Sequence, residues 1–194
     1  MTATEPALTP AGERLLAAAS ELFYSRGIRA VGVDLIADVA GTTKKTLYDR
    51  FGSKDGLVVL YLRRRQQRWQ DFVSRHLDEM TAEDRRPPAV LDALERWMSE
   101  QHRGCAFVNA YAELGGSGHP GLEVIRAEKQ WTRELYVRLC AESGFRAPER
   151  VASGLHLVHE GVLVMATAAA QADAFDQGRR AAGQLLDAAE RQPS

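Results

Sequence analysis

Three groups of side chains in this 194-residue chain are of types that could do chemistry. The first is "TTKKTLYDRFGSK", residues 42–54, where hydroxyls, ammonium groups and a phenol crowd together. That donor set suits a phosphate backbone. The second is "HLVHE", which puts His156, His159 and Glu160 at i, i+3 and i+4. On one helix face they could share a metal, with His119 or Glu113 completing the set. The third is the thiol of Cys105, just after a helix break. It would serve as a redox sensor if exposed and ionised. Each group also has a plainer reading. The lysines could be a solvated face, the histidines half-buried polar groups in a helix interface or pocket, and Cys105 a packed thiol with only Arg103 as a close charge.

The elements that must position these groups read as helices. In "TPAGERLLAAASELFYSRG", Thr9 can cap, Pro10 can occupy the first helical position and Glu13 favours the helix dipole. Leu15, Ala18, Ala19, Leu22 and Phe23 then form an apolar stripe that ends at Gly27. A short helix is expected over residues 33–40, broken by Gly41, and another from Lys44 to Phe51, ended by Gly52. Ser53 can cap a long fourth helix running towards Met80. Gly56 in its first turn carries a propensity cost of about 1 kcal/mol. The stretch "TAEDRRPP", residues 81–88, punctuates the chain. Further helices are expected at Ala89–Gln101, Ala106–Leu114, Leu122–Ser143, Pro148–Ala172 and Ala174–Arg191, with no strand pattern. The fold class is all-α with about nine helices: a three-helix domain over 9–55 and a larger helical domain over 56–194.

Composition narrows the function. A hydrophobic fraction of 45% supports a core, while a formal net charge of −1 advertises no global attraction to nucleic acid. Any DNA contact must come from a local patch. Two cysteines suit a reducing cytosol rather than a disulfide framework. The N-terminus lacks a signal-peptide core, and Val162–Ala170 is too short to span a bilayer. A soluble cytoplasmic protein without membrane contact is expected. There is no nucleophile elbow, zinc-protease helix or phosphate-cradling loop, so no residue is assigned a catalytic role and no cofactor is expected.

Residues 33–51 form two short helices about a Gly-containing turn, the arrangement that sends a second helix into a major groove. Thr43 would cap that helix. Lys44, Lys45 and Thr46 occupy its first turn, Leu47 and Phe51 hold it inward, Tyr48 can reach a phosphate, and Lys54 opens the next helix. The ordered set Ile36-Ala37, Ala40-Gly41, Thr46-Leu47-Tyr48, Phe51 and Ser53-Lys54 resembles the N-terminal domain of the TetR family of transcriptional regulators, over residues 9–62. The resemblance implies that Thr43, Lys44, Lys45 and Thr46 belong to the recognition helix or its entrance, and that Tyr48 and Lys54 match phosphate-contacting positions. Two positions depart from the pattern. Gly32 stands where a capping Thr or Ser is usual, and Lys45 where a small residue is common.

The resemblance further implies a C-terminal domain that binds a small effector and dimerises. Trp97, Phe107, Tyr111, Trp131 and His156 are candidate ligand contacts, a mostly apolar set with a polar option. Leu155, Val162, Met165, Leu185 and Leu186, on the last two helices, are candidates for a homodimer interface. The expected function is a ligand-responsive regulator, a repressor released from an operator of two-fold character by a small molecule. A redox- or metal-responsive regulator using Cys105 or His156 and His159, and a small helical enzyme or binding protein, are the alternatives. "RRRQQR", residues 63–68, reads as a solvated face.

Overall fold

The computed structural model describes residues 8–81, 86–101 and 103–191. The signal-peptide reading of the N-terminus and the break at 81–88 therefore fall partly outside the described residues. Nine helices run through the described residues: α1 (Pro10–Arg26), α2 (Val33–Val39), α3 (Lys44–Phe51), α4 (Lys54–Asp78), α5 (Ala89–Ser99), α6 (Ala106–Leu114), α7 (Gly121–Glu142), α8 (Pro148–Thr167) and α9 (Ala174–Asp187). Among those residues the only extended pairing is an isolated bridge between Phe145 and Arg191. None of these helices is long and apolar enough to cross a membrane.

The chain forms two compact units, each discontinuous in sequence. One joins Met1–Arg65 with Ala106–Ile125; the other joins Gln66–Cys105 with Arg126–Ser194. Helix α4 contributes to both.

In the first unit, Thr9 accepts the Gly12 N–H at 3.3 Å, Pro10 starts α1, and Gly27 caps its end. The stripe of α1 is buried as its spacing requires, with Phe23 edge-on to Tyr61 of α4. Ile36, Leu47, Leu57 and Leu62 are fully buried around it. Each such side chain contributes roughly 1.5–3 kcal/mol through burial. The Arg14 Nε donates to the Ala40 carbonyl at 3.2 Å, which fixes the end of α2 against α1. Arg65 departs from the solvated face read from "RRRQQR": it is buried, with its guanidinium over the Tyr24 ring at 4.6 Å. A guanidinium on an aromatic face keeps its charge while its stem packs.

The second unit has its core on Trp69, Val73, Leu91, Leu94, Tyr136 and Leu155, with Cys140 among them. Helices α8 and α9 pack closely because Gly178 leaves room for Val162, where a Cβ would collide. Arg179 ties α9 to α5, with Asp92 at 3.2 Å and Glu95 at 2.7 Å, and reaches Asp176 at 2.6 Å. The sequence pattern runs this penultimate helix on to Ala172, but α8 stops at Thr167. The chain turns there through Ala170 at φ 50, and the Gln171 N–H returns to the Met165 carbonyl at 2.9 Å.

Candidate functional site

Helices α2 and α3 build the candidate reading element. Gly32 caps α2 with no side-chain hydrogen bond, so the usual hydroxyl is missing there. The connecting turn closes through Ala40 N–H to the Ile36 carbonyl and Thr42 N–H to the Ala37 carbonyl, both at 3.0 Å. Thr43 then caps α3. Its Oγ1 accepts the Thr46 N–H at 3.2 Å and lies 2.9 Å from the Thr46 hydroxyl. A cap of this kind contributes about 1 kcal/mol.

Leu47, with no exposed surface, anchors α3 from below. The other face carries Lys44, Lys45 and Tyr48, all exposed, with Thr46 half-buried at the entrance and Arg50 exposed on a more distal face. Lys44 Nζ lies 3.1 Å from Asp34 and Lys45 Nζ 2.8 Å from Asp49. Exposed pairs of this kind contribute at most about 1 kcal/mol, so a phosphate can displace them. Together these groups present hydrogen-bond donors and positive charge on one edge of a helix of eight residues.

Lys54 is placed differently. Its ammonium donates to the Ile28 carbonyl at 2.6 Å and lies 5.9 Å from the centre of the Phe23 ring. Burial draws its pKa down, against the pull of Glu113 and Asp55. A phosphate contact from Lys54 requires that inward bond to be given up. Beside it, the Glu113 carboxylate accepts the N–H groups of Ile28 and Arg29, at 2.9 and 2.6 Å. Sequence reasoning assigns Glu113 only as a spare metal ligand. Its partners lie 85 and 84 positions away, and no local pattern marks them.

The candidate ligand residues fall in both units. Phe107, buried, and Tyr111, exposed, belong to α6 in the first. Trp97, Trp131 and His156 lie in the second, where Trp97 sits 5.6 Å from Trp69 and 5.3 Å from Phe72 between ring centres. Of the candidate dimer residues, Leu155 and Val162 are buried within their own unit and Leu186 is half-buried there. Met165 and Leu185 are exposed, joined by Leu157 and Val164, which sequence spacing did not single out.

Polar groups of α7 and α8 form a half-buried cluster. Lys129 Nζ lies 2.9 and 3.0 Å from the two Glu160 oxygens and 3.8 Å from Cys105 Sγ. Burial opposes both charges. Even so, Cys105, Glu128 and Glu160 hold Lys129 protonated, and His156 and Lys129 draw Glu160 down to about 2. His159 is buried, its Nδ1 3.2 Å from the Tyr136 hydroxyl, and burial lowers it to about 3, which makes it a neutral imidazole. Burial pushes the Cys140 thiol up to about 11. Among the described residues no three His, Cys, Asp or Glu side chains converge to hold a metal, and His119 faces Asp55 at 3.3 Å.

Residues 15–60 match the family model described as bacterial regulatory proteins, tetR family. Over 95 residues the chain is 37% identical to the HTH-type transcriptional activator FasR of Mycolicibacterium smegmatis, covering 49% of this chain and 43% of that protein. It is 27% identical over 118 residues to an HTH-type transcriptional regulator of Mycobacterium tuberculosis, covering 60% and 58% of the two chains. The chain thus spans about half the length of the curated relatives it matches. Likeness to solved structures is broader. A TetR-family transcriptional regulator from Streptomyces coelicolor superposes with a TM-score of 0.79 at 26% identity, over 92% of this chain and 95% of that one. A TetR-type regulator from Streptomyces avermitilis gives 0.75 at 28% identity, over 95% and 100%.

Proposed function

The chain belongs to the TetR family of bacterial transcriptional regulators, and from that premise we propose that it is a repressor released from its operator by a small molecule. DNA-binding regulation is the activity of the family, and its members are not enzymes. The observation that carries the reading is the Thr43-capped helix, anchored by Leu47, which leaves Lys44, Lys45, Thr46 and Tyr48 for the groove. Lys54 joins them if its bond to Ile28 opens on docking.

The protein works as a cytoplasmic homodimer. The exposed apolar set Leu157, Val164, Met165 and Leu185 supports pairing of two α8–α9 faces, and pairing supplies the two recognition helices that an operator of two-fold character needs. The effector binds in the second unit, where Trp97, Trp131 and His156 join apolar surface to polar groups. Effector and operator act by population shift and weaken each other reciprocally.

A second reading, activation, takes support from FasR, whose name states that sign. The test is a gel shift of the full chain on DNA from upstream of its own gene, together with a reporter on that DNA. Repression predicts binding that falls steeply with salt and reporter output that rises when the gene is deleted. Output that falls on deletion establishes activation, and no salt-dependent binding sinks both readings.

A further inference from the structure

The cluster between α7 and α8 is not complete as it stands. Glu128 is 3% exposed, and its Oε1 accepts the Thr132 hydroxyl at 3.2 Å. Its Oε2 has no hydrogen-bond partner among the described residues, although it lies 3.3 Å from Lys129 Nζ. That ammonium is directed at both oxygens of Glu160 instead. Across the pair, His156 Nε2 lies 3.3 Å from Glu160 Oε1, close but out of line, and is likewise without a hydrogen bond. Buried polar atoms are nearly always hydrogen-bonded, and Glu128 Oε2, held only by a 3.3 Å ion-pair contact, keeps accepting capacity for a further group.

We propose that this place receives the ammonium of an organic amine with an apolar body, with Glu128 Oε2 as its principal acceptor. The inference rests on the ligand-responsive reading above and specifies its effector. Two carboxylates face one ammonium here, and the buried imidazole of His159 is neutral, so the local excess is negative. An anion is repelled, and a neutral acceptor finds no spare donor. A protonated amine brings N–H groups to the Glu128 oxygen and balances the charge. A bare metal ion is not favoured, since no three metal-binding side chains converge. Aromatic side chains lie beside the cluster. His159 stands 6.2 Å from His156 and 6.3 Å from Trp69 between ring centres, and Trp69 leads on to Trp97 and Phe72. Such rings also attract cations. Burial pushes the Glu128 carboxyl up from its ordinary value, and an ammonium placed beside it favours the ionised form.

The test uses the full chain near neutral pH, with benzylamine and phenethylamine as probes and phenethyl alcohol and phenylacetate as size-matched controls. All three tryptophans, Trp69, Trp97 and Trp131, lie in this unit, so their fluorescence reads binding. The amines should give a saturable change at millimolar concentration or below, with both controls weaker by about tenfold or more. Glu128→Gln should lose the amine response by a similar factor while melting no lower than the parent, because it removes a buried charge. Equal binding of alcohol and amine, no amine binding, or full binding by Glu128→Gln overturns the proposal. Operator gel shifts separate it from the broader reading. Amines that bind through Glu128 yet leave operator affinity unchanged uphold the site and sink effector control through it. Release by an anionic or neutral compound alone sinks the amine and keeps ligand response.

Discussion

Glu113 of α6 closes over the end of α1, its carboxylate accepting the Ile28 N–H at 2.9 Å and the Arg29 N–H at 2.6 Å. Lys54 holds the same segment from the other side through the Ile28 carbonyl. The loop that feeds α2 is therefore clamped by one acid and one base from distant parts of the chain.

Glu113→Ala should remove two charge-assisted hydrogen bonds at once and destabilise the first unit by about 1–3 kcal/mol. Amide hydrogen exchange at Ile28 and Arg29 is the direct check. Unchanged protection at both would show that the clamp contributes nothing.

Lys44→Ala should weaken operator binding across all sequences and lower the salt slope by about one unit, since a phosphate contact is lost. Asp34→Asn, which frees the same ammonium from its 3.1 Å pair, should act in the opposite direction. Both are read from fluorescence anisotropy at several salt concentrations. Tyr48→Ala should weaken binding with little change in the salt slope, because the phenol carries no charge.

Helix propensity alone says that Gly56→Ala should stabilise α4 by about 1 kcal/mol. The fold says the reverse, because a Cβ at Gly56 would collide with the Phe51 carbonyl that ends α3. A net loss of about 1–3 kcal/mol in denaturant unfolding is expected. A gain in stability would mean that the turn between α3 and α4 gives way freely.

His159 sets an acid-sensitive part of stability. Its folded pKa lies near 3, below the ordinary 6.5, so between these values the unfolded chain holds one proton more. The contribution is complete above the unfolded value and is lost as pH falls, at a limiting rate of about 1.4 kcal/mol per pH unit. Glu128 works in the opposite sense, because burial raises its pKa and favours the fold at lower pH. Comparing the parent with His159→Gln cancels that term. The stability advantage of the parent should shrink steadily below about pH 6.5, and an advantage that stays constant would contradict the buried neutral imidazole.

Leu157 is the most exposed large apolar side chain among the described residues, at 76%, with Val164 on the same helix. Leu157→Arg combined with Val164→Arg should give a folded monomer by analytical ultracentrifugation, with weakened operator binding. A variant that remains dimeric would move the interface elsewhere.

The chain order of the helices was legible because their signals are local. Thr9, Pro10, Gly27, Thr43 and Gly52 each act within a turn or so of their own position, and the stripe from Leu15 to Phe23 needs only a period of 3.6. The same holds for the reading element, since cap, anchor and basic first turn occupy a few consecutive residues. Where α8 ends was not legible. "ATAAAQA", residues 166–172, has every propensity to stay helical, and α8 stops at Thr167 because the chain must return as α9 against Val162.

What the sequence by itself determined is an all-α chain with a Thr43-capped helix whose pattern resembles the TetR family, because periodicity and capping are properties of neighbouring residues. Only the tertiary structure decided which charges are spent and which remain. It turned Lys54 inward to Ile28, gave Glu113 to the end of α1, buried Arg65 on Tyr24, and left an oxygen of Glu128 without a hydrogen bond. Those outcomes depend on desolvation and on meetings across tens of residues, and no local pattern encodes either.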